Sequence, residues 1–276
     1  MTRCRPPFPW LLLRFWFMRI LPVWSLIALL MFLMQLAVCG IVHDNQGVKT
    51  LLGLIEVLPS IVKTALGGDG LQAGNLPGLI AIGHNHPFVL SLFLIFAVGV
   101  PTVLLPAEVQ RGTMELILSR WATKTQIYIC AALMTTAGMA SLAMVVFLGT
   151  VTGTNIYDFG EPIPLYSFFQ LAVNGGLCAA AFGAVALLSA ASFRRTGTAV
   201  SVAVAFIVAN YFAAILSMWW PRIRWLRSLT LFNYTNGRKI FGMHEWPVSD
   251  MLVLGAIILV VALAGGLIWR RRDLPL

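Results

Sequence analysis

The densest group of reactive side chains lies in 106–120, where Glu108, Arg111, Glu115 and Arg120 stand with Thr113 and Ser119 in a chain only 11% charged. Two carboxylates and two guanidiniums at this spacing suit charge-assisted contact with another surface. Gly112 lets the backbone turn without steric cost, and Thr113 is a residue type that starts helices. Glu115 then falls in a first turn, where an acid suits the helix dipole. The local expectation is a short amphipathic helix at a membrane face, offering charge to the water. Ordinary solvated loop charges are the plainer alternative.

The elements that must position this loop are strongly apolar. Hydrophobic residues make up 59% of 276 positions, and the mean hydropathy is +0.87. That composition excludes a soluble domain and describes a polytopic membrane protein. A crossing needs about 20 apolar residues. Six segments qualify: 20–42, 88–105, 127–151, 168–191, 199–219 and 251–269. Backbone polar groups in lipid must be satisfied internally, so the segments are expected as helices, giving an all-α fold in one domain over 1–276.

The net charge of +9 could suggest nucleic-acid binding, but its distribution points elsewhere. With both termini on one side, that side carries twelve basic residues against Glu108, Glu115 and Asp273. The other side carries seven of each sign. The positive-inside rule therefore places both termini, 106–126 and the 193–197 turn in the cytoplasm, with 43–87 and 220–249 outside. Partners in the lipid are expected, and nucleic acid is not. Cys4, Cys39, Cys130 and Cys178 form no disulfide framework. The LAVC run ending at Cys39 has the wrong residue before the cysteine for a lipoprotein box.

No Asp, Glu, Lys, Arg or His lies inside the six segments. Ion-coupled carriers use such groups, so their absence argues against one. The polar residues within the segments include Gln35, Gln170, Asn174 and Asn210. They read either as hydrogen bonds between helices or as the lining of a translocation path. His43, His84, His86 and His244 all fall on the outer side. His84 and His86 with Asp44 or Glu245 have the chemistry for zinc or copper. His-x-His before Pro87 at a span entrance also fits interface chemistry, and no metal site is assigned.

The remaining segments have simpler readings. Prolines, tryptophans and arginines over 1–19 predict an interfacial segment. Polar and small residues at helical spacing predict a surface helix over 48–66, followed by loop chemistry from 67 to 78. Gly175, Ala179 and Gly183, with Gly176, Ala180 and Ala184, predict close helix packing by the fourth span. Arg194 and Arg195 sit in a short inner turn. The segment 233–240 reads as a semi-polar re-entry before the last span, and Arg270, Arg271 and Arg272 form a terminal anchor.

The run Glu108-x-x-Arg111-Gly112-Thr113-x-Glu115-Leu116-x-Leu118-Ser119, between the second and third of six spans, resembles the membrane subunits of ABC exporters of the type-2 permease family. The chain reads Ser119-Arg120-Trp121 where that family usually has Ser-Thr-Pro. The resemblance implies that 106–126 holds a cytoplasmic coupling helix and that 1–19 resembles the family's connecting helix. It assigns Glu108, Arg111, Gly112, Thr113, Glu115, Ser119, Arg120, Arg194 and Arg195 to contact with a separate ATPase, the two glutamates meeting basic residues there or Arg14 and Arg19 of the amino-terminal segment. The sequence has no Gly-x-x-x-x-Gly-Lys-Ser/Thr motif, so ATP and Mg are expected on that partner, with no cofactor and no catalysis here. The implied assembly is a dimer with itself or a similar permease in the plasma (inner) membrane, with room for an accessory subunit. A secondary transporter or channel is one alternative. A membrane metalloenzyme using the outer histidines is another.

Overall fold

The computed structural model describes residues 9–44, 76–119, 122–235, 240–241 and 245–273. Among them the regular structure is helical: α1 (Trp10–His43), α2 (Leu76–Asn85), α3 (Pro87–Leu104), α4 (Pro106–Gln110), α5 (Thr113–Ser119), α6 (Lys124–Ile156), α7 (Leu165–Ser192), α8 (Thr196–Trp219) and α9 (Val248–Arg271). Two 3-10 segments, Pro221–Leu229 and Leu231–Tyr234, lie between α8 and α9. Six spans are long and apolar enough to cross a membrane, with Leu76–Gln110 counted as one. The protein is an all-α, multi-pass membrane protein. The surface helix expected over 48–66 lies outside the described residues.

Helix α7 is the centre of the bundle and packs against α3, α6, α8 and α9. Its small residues are the cause. A Cβ added at Gly176 would lie 2.8 Å from the Cβ of Ala143 on α6, and one at Gly183 would lie 3.1 Å from Thr135 Cγ2. On the other side of α6, a Cβ at Gly149 would meet Phe32 O of α1 at 3.3 Å. Lipid offers no hydrophobic drive between helices, so this close approach supplies the dispersion contact that holds them.

Three features differ from the sequence expectation. The first concerns 1–19. From Trp10 onward there is no separate interfacial element, because α1 runs unbroken through Pro22 to His43. At about 1.5 Å per residue it exceeds a hydrocarbon core of about 30 Å by several turns. Its first turns are held to the bundle by buried Trp16 and Ile20, while Trp10, Leu11 and Phe15 are exposed.

The second concerns 76–87. Pro77 and Gly78 read as loop, yet α2 begins at Leu76 and buries Gly78, Leu79, Ile80, Ala81, Gly83 and His84. Proline in a first helical turn loses no hydrogen bond. The second span is thus a helix broken once, at His86, whose backbone is extended (φ −62°, ψ 136°).

The third is the re-entry, which starts earlier than 233. The segment from Pro221 folds back along α8, so that Leu231 N donates to Asn210 Oδ1 at 3.1 Å. Asn210 lies about 13 Å below the end of α8 at Trp219.

Candidate functional site

The loop between the second and third spans forms a helix–glycine–helix unit. Helix α3 ends at Leu104, and Pro106 opens α4, where its missing N–H costs nothing. Gly112 adopts φ +73°, with nothing within 4 Å of the place a Cβ would take. The left-handed turn it makes aims α5 away from α4. Only Met114 of α5 is buried. Glu115 and Ser119 are exposed, and Leu116 is 67% exposed.

Glu108 behaves unlike its neighbour. It is 3% exposed, and its carboxylate forms an ion pair with Arg19 of α1. Arg111 Nη1 lies 3.7 Å from the same oxygen. The Thr113 hydroxyl lies within hydrogen-bond range of the other carboxylate oxygen and 3.2 Å from the Glu108 carbonyl. A buried carboxylate needs this many donors to offset its lost hydration. The two glutamates were expected to meet basic residues of a partner, or Arg14 and Arg19 of the amino-terminal segment, and for Glu108 the second alternative holds. The structure turns Glu108 inward as the anchor of the loop and leaves Glu115 outside.

A second tie fixes the loop to the next inner turn. Thr196, at the start of α8, donates its backbone N–H to Gln110 Oε1 at 3.1 Å, and its hydroxyl reaches the same oxygen. Arg194 and Arg195 beside it are exposed. The network continues into the third and sixth spans. Lys124 Nζ donates to Arg272 O at 2.7 Å, Trp269 Nε1 to Lys124 O at 3.0 Å, and Arg272 Nη1 to Ala191 O at 3.0 Å. Arg194 Nη2 lies 3.4 Å from Asp273 O. Burial first, and then the charge of Arg194, hold Arg272 below the ordinary arginine value. Arg111, Gly112, Thr113, Glu115, Ser119, Arg194 and Arg195 therefore share one basic end of the bundle with Glu108 inside it. Arg120 lies outside the described residues.

The candidates for a translocation path are all buried, and three of the four make contacts that join elements. Gln35 Nε2 donates to Thr150 Oγ1 at 3.0 Å and to Ile80 O at 3.3 Å. Asn174 Nδ2 donates to Tyr234 O at 3.1 Å, while Asn210 accepts from Leu231. Gln170 has neither amide atom paired among the described residues. Asn174 and Asn210 hold the re-entrant segment in place, and Gln35 ties α1 to α2 and α6.

The histidines require a correction. His84 was placed on the outer side and the spans were read as free of ionisable groups. The structure puts His84 inside the second span, 8% exposed, with both ring nitrogens unpartnered. Phe168 lies beside it at a ring separation of 5.6 Å. A small cavity of about 20 Å³ lies against His84, Asn85, Phe93, Ala143, Gly175 and Gly176, room for a water molecule. His86 instead has a structural role, its Nδ1 accepting from Phe88 N at 3.2 Å as the cap of α3. Among the described residues no group of three or more His, Cys, Asp or Glu could hold a metal.

Sequence reasoning missed the Gln110–Thr196 tie and the His84 position. The first had no signal, because a loop-to-loop hydrogen bond has no periodicity. The second had one in Pro87, which marks a break as readily as it marks a span entrance. No protein-family model and no curated protein matches this chain.

Proposed function

We propose that this chain is the membrane-spanning subunit of an ATP-driven ABC exporter of the type-2 permease kind, with a separate ATPase docking at the basic end. The observation that supports this reading is the construction of the 106–119 loop. A helix with its polar and apolar residues exposed is carried on a left-handed glycine, while the preceding turn is locked to α1 through Glu108 and Arg19. A plain connector has no need of a buried ion pair. A lever does, because force on α5 must reach the spans without being lost in a soft loop. Glu108–Arg19 carries it to α1, and Gln110–Thr196 carries it to α8. Glu115, Leu116 and Ser119 form the contact face, with Arg111, Arg194 and Arg195 at its rim.

In this reading two subunits enclose the path, and ATP-driven closure of the ATPases moves both inner loops together. Only a difference in ATPase contact between the two states can shift the spans. Affinity purification of the chain from its native membrane tests the idea. A stoichiometric partner carrying a nucleotide-binding motif is expected, and Glu115→Lys should make its retention more salt-sensitive, since exposed charges are screened within about 8–10 Å. Purification of a stable, transport-active chain with no such partner would overturn it.

One observation favours a second reading. An ionisable residue in a broken span, His84, is the feature an ion-coupled carrier uses. Transport by the chain alone in proteoliposomes, driven by a proton gradient and lost in His84→Leu, would select that reading instead.

A further inference from the structure

Helices α8 and α9 both pack on α7 but leave a gap between them. This gap is a groove of about 520 Å³ lined by Val185, Phe193, Val202, Leu229, Leu231 and Val261, among others. Its two serines are already committed, since Ser189 Oγ donates to Ala199 O and Ser192 Oγ to Leu188 O. The groove is therefore apolar throughout. The re-entrant residues Leu229 and Leu231 close its upper end. From Val185 to Phe193 it runs about 12 Å along α7, close to the depth of one leaflet of a core about 30 Å thick.

The foot of the groove is cationic. Arg194 follows Phe193 directly, and Arg272 reaches Ala191 O, one residue before Ser192. Arg272 Nη2 is buried without a partner, and among the described residues no carboxylate pairs with Arg194 or Arg272. Two guanidiniums held near each other with a spare buried donor are arranged for an anion with several acceptor oxygens. Exposed Arg195, Arg270 and Arg271 add to the same field.

We propose that the groove holds one acyl chain of an anionic glycerophospholipid, with its phosphate on Arg194 and Arg272. Apolar burial along the chain gives affinity for any phospholipid, and the arginine pair selects the anionic headgroup. The site does not depend on the ATPase assignment.

Native mass spectrometry of the full protein, released from nanodiscs of equal phosphatidylglycerol and phosphatidylcholine, tests this. The wild type is expected to retain one phospholipid per chain, with phosphatidylglycerol favoured. Val261→Trp and, from the opposite wall, Val202→Trp should each abolish retention of both lipids. Arg194→Gln with Arg272→Gln should keep one lipid bound but cut the preference for phosphatidylglycerol by about tenfold or more. Correct folding of each variant is checked by its monodisperse elution and melting temperature. A pair of folded tryptophan variants that retain phosphatidylglycerol as the wild type does would overturn the proposal. So would their conversion of a dimer to monomers with lipid retention unchanged, which assigns the groove to a second copy. Loss of phosphatidylglycerol in the arginine variant with no phosphatidylcholine taking its place would also overturn it, since the anion alone would then account for binding.

Discussion

The two ends of this bundle treat their buried polar groups in opposite ways. At the basic end, Glu108 meets Arg19, Arg111 and Thr113, Gln110 meets Thr196, and Trp269 and Arg272 reach backbone carbonyls. In the other half, the second span is broken at His86 and the chain re-enters after α8. There His84 has no partner, Gln170 has none among the described residues, and Gln35 Oε1 is left over. Trp16 Nε1 and Arg272 Nη2 are the basic end's unpartnered buried donors among the described residues. Its elements are nonetheless cross-tied through Glu108, Gln110, Lys124 and Arg272, and an end so tied moves as one piece. A half with spare donors and acceptors beside a backbone break has alternative arrangements within reach. On the exporter reading proposed above, the contrast would give transmission to the first region and rearrangement to the second.

The largest expected effect comes from cutting the tie at the basic end. Arg19→Ala leaves the buried Glu108 carboxylate with the Thr113 hydroxyl and a longer contact from Arg111. Losing the charged partner of a buried carboxylate in a part-buried pair costs about 1–3 kcal/mol. The double variant Arg19→Met with Glu108→Leu removes both charges and should recover most of that loss. Thermal melting of the three proteins in the same detergent measures the difference. Equal melting temperatures for the wild type and Arg19→Ala would remove the rigid end from the comparison.

Next is the packing common to both regions. A Cβ at Gly265 would lie 2.4 Å from the Tyr128 hydroxyl and 3.2 Å from Leu188 Cα. Tyr128 donates to Ala262 O at 2.7 Å and has little freedom to move away. Gly265→Ala should therefore destabilise by about 1–3 kcal/mol, the usual cost of overpacking. Gly175→Ala, one helix away, meets nothing within 4 Å and should change the melting temperature little. The pair checks the packing from a single melting series.

Gly112→Val has a smaller cost of a different kind. Nothing lies near the added side chain, so the expense is that of a left-handed β-branched residue, about 1–2 kcal/mol. Because α5 contributes little burial, the loop should distort while the bundle stays folded. On the exporter reading proposed above, little-changed melting of the bundle together with a lost ATPase response is the expected result. Normal coupling would mean that the direction of α5 is immaterial.

The six spans were legible because apolar length in lipid admits one solution, and each observed helix covers its expected segment with a few residues to spare. The positive φ of Gly112 and the helix start at Thr113 were legible from residue type. That these acids could meet Arg19 was legible too, but which of them turns inward was not. Glu108 and Glu115 look alike in sequence, and only the approach of α1 decides which one is buried. The break at His86 was hidden for a related reason. A proline after a His-Asn-His run looks the same at a span's edge and at its middle, and the position depends on whether residues 76–85 continue the helix. Four apolar residues in Leu79-Ile80-Ala81-Ile82 point that way, but Pro77-Gly78 reads more strongly as a turn.

The smallest effect on stability, and the sharpest test of the contrast, belongs to His84. If its nitrogens have no partners, exchanging the imidazole for an apolar group of similar size gives up no hydrogen bond and removes a desolvation cost. His84→Leu should therefore melt at the wild-type temperature or slightly above it. The matching exchange at the basic end, Glu108→Leu alone, strands Arg19 and should melt well below. If the chain transports as proposed, that activity should show the reverse ranking in the half that holds the break. His84→Leu should alter substrate dependence, because the small cavity beside it loses its one imidazole. Gln35→Leu breaks two hydrogen bonds, to Thr150 and Ile80, and should instead act through stability. A clear fall in melting temperature for His84→Leu would show that the imidazole is partnered in the assembled protein. The half that holds the break would then be as tightly tied as the basic end, and the division between the two would fail.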